Sequence, residues 1–168
     1  DHGMAEVSDE RVILLDQILN LETVDVIDWN PVAMINPKIE TEKELIYNQF
    51  KSNEENFRVY KKEDLPERYH LKNHRRVPEI ILIADLGYSI TTSVRLAASG
   101  ITGGAHGYDN EHPEMHSFFL ANGPSFKRGE RTQGFQNIHL YELMAYLLNL
   151  EPAPNDGSLD SLIHILQK

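Results

Sequence analysis

The stretch Gly103-Gly104-Ala105-His106-Gly107-Tyr108-Asp109-Asn110 decides how the rest of this chain is read. Glycines at 103, 104 and 107 open backbone angles closed to other residues, so one side chain can be aimed at a buried point while the loop passes close beside it. That side chain is His106. Alone, a His-Gly pair reads as a solvated histidine on a flexible loop. The other end of the chain shifts this reading, because it opens with Asp1-His2-Gly3-Met4, a carboxylate and a second imidazole beside a glycine. Asp and His are the oxygen and nitrogen ligands that a catalytic zinc accepts.

Composition narrows the rest. The 168 residues, 40% apolar and 25% charged, are enough for one domain with a sizeable core, and one unit is expected. The formal charge of −10 argues against a nucleic-acid-binding surface, which needs clustered Lys and Arg. A bound phosphate would therefore need a metal to supply positive charge. There is no cysteine, which excludes disulfides and thiolate zinc sites. No run approaches the roughly twenty apolar residues of a membrane span.

Along the chain, Val12 to Leu19 reads as a strand or a helix by periodicity alone. Val24 to Trp29 and Val32 to Asn36 read as two short strands with a turn at Asn30-Pro31. Thr41-Glu42-Lys43-Glu44 has capping-box spacing and predicts a helix from about Glu42 to Lys51 that buries Leu45, Ile46 and Phe50. Phe57 to Lys61 is a further strand, and Lys62 to Tyr69, holding Pro66, is at most a short helix or turn. The span from about 22 to 80 is thus a small α+β insertion between Asp1-His2 and His106. Arg58, Lys61, Lys62, Lys72, Arg75 and Arg76 read as a solvated face.

Ile80 to Ala84 is the most continuous apolar run, the pattern of a strand covered on both sides. It ends at Asp85-Leu86-Gly87-Tyr88, the kind of position where open α/β sheets place ligands. Ser89 to Gly104 shows no core pattern and is expected to be a mobile loop leading into the site. Phe118 to Ala121 reads as a strand. Asn137 caps the strongest helix, Ile138 to Leu150, with Leu140, Tyr141, Met144, Leu147 and Leu148 repeating at three and four. Leu159 to Leu166 is a terminal helix or strand. The pairs His70/His74 and His112/His116 read as surface histidines, since neither sits in a continuous helical pattern.

Asp1-His2-Gly3-Met4, His106-Gly107-Tyr108-Asp109-Asn110, Met115, Gly123-Pro124-Ser125-Phe126-Lys127, Tyr141-Glu142-Leu143-Met144 and Pro152-Ala153-Pro154-Asn155-Asp156-Gly157 fall in a familiar order and approximate spacing. In these motifs the chain resembles the nucleotide pyrophosphatase/phosphodiesterase family (type I phosphodiesterases) of the alkaline phosphatase superfamily, from residue 1 to about Leu166. The resemblance implies an α/β chain forming the C-terminal portion of an alkaline-phosphatase-like fold, with the small α+β insertion at about 22–80. Because the match opens inside a motif, residues 1–168 are expected to be the C-terminal part, well under half, of a catalytic domain. Any signal peptide or anchor is expected upstream of Asp1, and the resemblance implies a periplasmic or extracellular location. Animal members usually carry a cysteine directly after the Leu-Met pair, where Ala145 stands, so a bacterial source is expected. Leu86 and Tyr88 stand where the family has an acidic residue and a Trp, so no substrate preference carries over from there.

Phosphodiester cleavage develops charge on attacking, leaving and non-bridging oxygens, and two divalent ions roughly 4 Å apart stabilise it. The resemblance implies two zinc ions. The positions matching Asp1 and His2 hold the one that also activates a threonine nucleophile, and His106 holds the other. Asp109 and Asn110 are expected to hold the His106 loop by hydrogen bonds. The threonine and the remaining ligands are expected outside this chain, which then contains no catalytic nucleophile. Thr91, Thr92 and Thr102 lack ligand spacing, and Ser125 lacks the strand-Ser-helix context of a hydrolase elbow.

The implied function is part of a zinc-dependent phosphodiesterase or nucleotide pyrophosphatase, a hydrolase working by two in-line displacements on a nucleotide or other phosphodiester small molecule. The isolated chain is expected to be inactive. The alternatives are a non-catalytic module of the same fold with a partial metal or anion site, and a purely structural remnant. If neighbouring strands lie elsewhere, Ile80 to Ala84 is expected to leave an exposed sheet edge open to association.

Overall fold

The computed structural model describes residues 2–72 and 74–167; Asp1, Asn73 and Lys168 lie outside the described residues. Where one unit was expected, the chain separates into two, residues 1–118 and 119–168. Each has its own apolar cluster.

The first unit begins with two short strands, β1 (Ala5–Ser8) and β2 (Val12–Leu14), and β2 runs directly into a single helical turn, α1 (Leu15–Ile18). The insertion follows as β3 (Val24–Asp28), β4 (Val32–Pro37), α2 (Lys43–Ser52), β5 (Phe57–Lys61) and β6 (Ile80–Ala84). Its sheet has the order β3-β4-β6-β5 with every neighbour antiparallel. Alternation decides what each face meets. Ile80, Leu82 and Ala84 join Phe57, Val59 and the α2 residues Ile46 and Phe50 in the main cluster. Ile81 lies in a second cluster with Leu65 and Val77, against which Val32, Tyr60, Tyr69 and Ile83 pack.

β6 is therefore covered on both faces, as its unbroken apolar run implies. It is also paired with β4 on one side and β5 on the other. The association expected through an open edge at Ile80 to Ala84 is corrected accordingly, because no backbone edge is left free there.

Two local expectations for α2 also change. A 3-10 turn at Glu40–Glu42 precedes the helix, so Thr41 lies within that turn and no side chain caps the helix at Glu42. Ile46 and Phe50 are buried, but Leu45 is 61% exposed. One residue is about 100° around a helix, so the stripe carrying Ile46 and Phe50 leaves Leu45 to solvent.

The segment 89–104 is not a loop. It forms β7 (Ser89–Thr91), α3 (Ser93–Ser99) and most of β8 (Thr102–Ala105). β7 lies parallel to β2, with Val12 opposite Ser89, and all three of its residues are buried. Thr92 caps α3 by accepting the Arg95 amide, and the Asp16 carboxylate accepts the Ser93 amide. Gly100, at φ +60°, ends the helix, and the Asp9 carboxylate accepts the Ile101 amide. These polar anchors take the place of an apolar pattern.

In the second unit α4 (His139–Leu147) buries Leu143 against Leu162, Ile165 and Leu166, with Leu140 and Leu147 partly buried beside them. Tyr141, Met144 and Leu148, expected on the buried face, are exposed. Residues 118–121 form no strand, and residues 159–165 form two 3-10 turns. No helix among the described residues is long and apolar enough to cross a membrane.

Candidate metal centre

β1 and β8 pair antiparallel with Ala5 opposite Ala105, which carries the segment before β1 alongside the segment after β8. One step further, the same register sets Met4 opposite His106. The opening segment is held closely. The Gly3 amide donates to the Met115 carbonyl at 3.2 Å, and a Cβ on Gly3 would stand 1.9 Å from the Glu114 carbonyl oxygen. A Cβ on Gly104 would stand 2.4 Å from Met4 Sδ. Gly3 thus leaves room for the backbone at 114–116, and Gly104 for the Met4 side chain.

The result is that the His2 and His106 rings stack, with centroids 3.7 Å apart and planes 26° from parallel. His2 Nδ1 lies 2.8 Å from the Gly3 carbonyl oxygen, an acceptor, so Nδ1 is the donor of that bond. Imidazole lone pairs lie in the ring plane. Two nearly parallel planes at this spacing do not converge on a common point at a ligation distance of about 2 Å. Each ring would therefore serve a separate ion, as a two-ion site requires. Asp1, expected beside His2 as a ligand, lies outside the described residues. Among the described residues, no group of three or more His, Asp or Glu is gathered to hold a metal ion.

Past His106 the loop is fixed on two sides. Gly107, at φ +91°, turns the chain beside Pro31. Tyr108 is buried in the main cluster, and its hydroxyl donates to the Tyr88 carbonyl at 2.9 Å; burial pushes that hydroxyl's pKa up. Asp109 takes a two-pronged bond from Arg68, with Nη1 donating to Oδ1 at 2.7 Å and Nη2 to Oδ2. The Tyr69 hydroxyl donates to Oδ2 at 2.8 Å and the Glu111 amide to Oδ1 at 3.0 Å. The Arg68 guanidinium holds the Asp109 carboxyl well below the usual carboxylate range. None of these bonds is made to His106; those from Arg68 and Tyr69 tie the loop to the insertion. Asn110 lies exposed.

Arg68 and Tyr69 were missed in the sequence, where they stand 41 and 40 positions before Asp109 with no local pattern linking them. Of the paired histidines, His70 and His74 are exposed as expected, the latter accepting the Arg76 amide at 3.2 Å. His112 leads into the 3-10 turn Pro113–Met115 and His116 follows it. The Thr92 hydroxyl is committed to capping α3.

A sequence profile described as type I phosphodiesterase / nucleotide pyrophosphatase matches residues 1–109. The chain belongs to the type I phosphodiesterase/nucleotide pyrophosphatase family. Mouse bis(5′-adenosyl)-triphosphatase is 40% identical over 95% of this chain and 34% of its own length. Human ectonucleotide pyrophosphatase/phosphodiesterase family member 5 is 40% identical over 94% of this chain and 32% of its own. The solved structure of that human protein superposes with a TM-score of 0.93 at 39% identity, covering 100% of this chain and 44% of that one. An inactive form of the murine protein, solved with AMP, gives 0.92 at 39% identity over 99% of this chain and 44% of that one.

The α/β architecture of this family member is therefore part of an alkaline-phosphatase-like fold. The chain spans about a third of the length of the curated relatives it matches. The expectation of a bacterial source is overturned, since the relatives come from vertebrates, among them mouse, cattle, human and Xenopus laevis. Ala145 was a poor guide to origin. Ala145 is only 6% exposed, and a small apolar side chain fills the position whatever the source.

Proposed function

We propose that this chain forms part of the site of a zinc-dependent hydrolase of phosphodiester or pyrophosphate bonds, acting within a longer protein. The observation that supports the reading is the His2–His106 stack, which would offer one imidazole to each of two neighbouring ions. His2, with Asp1, would hold one zinc and His106 the other. When bound, the two ions offset the charge that develops on the phosphoryl oxygens during displacement. That role is consistent with a chain of formal charge −10, which has little positive charge of its own to offer an anionic substrate.

The parts of the mechanism carried by these residues are positional. The β1–β8 register brings His2 alongside His106, and the Nδ1 bond of His2 to the Gly3 carbonyl orients its ring. A threonine nucleophile and the other ligands would come from outside these 168 residues. Nucleotides are the proposed substrate class. The names of the matched triphosphatase and the AMP complex of the murine structure support it. An extracellular setting is proposed from the same relatives' description as ectonucleotide enzymes.

The test is hydrolysis of a chromogenic nucleotide phosphodiester. A full-length protein containing this chain should turn over, lose activity to a chelator and regain it with zinc, while the isolated chain should be inactive. Equal turnover by the isolated chain would overturn the reading. A second reading is a non-catalytic module of the same fold with a partial metal or anion site. It requires one zinc site, abolished by His106→Ala, in a full-length protein without turnover.

A further inference from the structure

His106 lies between two fixed points with a hinge beside it. Ala105 is locked in β8, Tyr108 is buried, and Gly107 between them is free of the restraint a side chain imposes. What holds the loop beyond Tyr108 comes from a different part of the fold. Arg68 and Tyr69 belong to the 3-10 turn Glu67–Tyr69 in the insertion. The Tyr69 ring packs against the cluster of Leu65, Val77 and Ile81 under the sheet, so its hydroxyl projects from a supported base. The Arg68 guanidinium lies over that ring at 4.3 Å, which restrains the plane of its fork. Both then meet the same carboxylate, and the fork fixes the orientation of Asp109 as well as its position.

We propose that Arg68 and Tyr69 are positioning residues for His106, acting through Asp109 to couple the insertion sheet to the metal-binding loop. The inference rests on the reading of His106 as a zinc ligand. It assigns the insertion a task beyond solvated surface. The clamp also keeps the Asp109 carboxylate engaged, three positions from His106, where an unpaired carboxylate on a glycine hinge would compete as an oxygen ligand. Glu111 closes the arrangement, its amide on Asp109 and its carboxylate 3.7 Å from Arg68.

The experiment uses the full-length protein and two readouts: zinc affinity by chelator competition, and hydrogen exchange of the amides at 107–110. Arg68→Met and Asp109→Asn should each weaken zinc binding about tenfold or more, the usual cost of losing a group that orients a ligand. Both should speed exchange in the loop, and the double variant should be no weaker than the weaker single, since the two share one interaction. Arg68→Lys should recover only part of the affinity, because a point charge cannot form the fork. Tyr69→Phe, the mildest change, should move both readouts in the same direction by less. Wild-type affinity in the single variants, or additive losses in the double, would overturn the proposal. If the wild-type protein binds no zinc, the metal reading fails and exchange alone decides the clamp. Faster exchange in Arg68→Met then supports it, and unchanged exchange overturns it.

Discussion

The imidazoles of His2 and His106 are stacked at 3.7 Å because β1 and β8 pair with Ala5 opposite Ala105. The contact is thus a consequence of strand register, and anything that displaces the segment before β1 should separate the rings.

Gly3→Ala is the sharpest test of that dependence. The added Cβ would overlap the Glu114 carbonyl and press on the His116 carbonyl at 2.9 Å, both of them backbone atoms that cannot rotate away. The expected cost is about 1–3 kcal/mol, as for other overpacked sites, together with weaker zinc binding. Urea denaturation and chelator competition on the same variant measure the two effects. Gly104→Ala meets the flexible Met4 side chain instead and should cost less.

The clamp on Asp109 has a pH window with a definite sign. The Asp109 carboxyl is held below its usual range, first by the Arg68 hydrogen bond, so its contribution to stability is present above the unfolded value of about 4. It is lost as pH falls through the folded value. The Tyr69 hydroxyl is shifted upward, first by burial and then by Asp109, so its contribution is complete below the unfolded value of about 10 and is lost as pH rises through the folded one. The stability gap between wild type and Asp109→Asn should therefore narrow in acid, and that between wild type and Tyr69→Phe should narrow in alkali. Denaturation midpoints across a pH series check both directions.

The buried stripe of α2 gives a contrast within one helix. Phe50 is fully buried and Phe50→Ala should cost about 3–5 kcal/mol. Leu45 is 61% exposed, and Leu45→Ala should change stability by no more than about 0.5 kcal/mol. Equal losses at the two positions would contradict the packing of α2 on β5.

What was legible in the sequence was what local pattern controls. The apolar run at Ile80 to Ala84, the paired strands around Asn30-Pro31 and the strand at Phe57 to Lys61 all fold as their side-chain periodicity implies. The segment 89–104 was missed because β8 is Thr-Gly-Gly-Ala, a strand only by virtue of its partner β1, and β7 is three residues long. Thr92 before α3 and Gly100 after it were start and stop signals that bracket the helix, and they were the available clue. The two histidines of the candidate site were singled out by their glycine settings, but Arg68 and Tyr69 meet Asp109 only through tertiary structure.

Anomalous diffraction at the zinc absorption edge, from crystals of the full-length protein, tests the central claim most directly. Two zinc ions about 4 Å apart are expected, one on a ring nitrogen of His2 and the other on His106. A single ion bound by both rings, or no zinc in contact with either, would contradict the assignment.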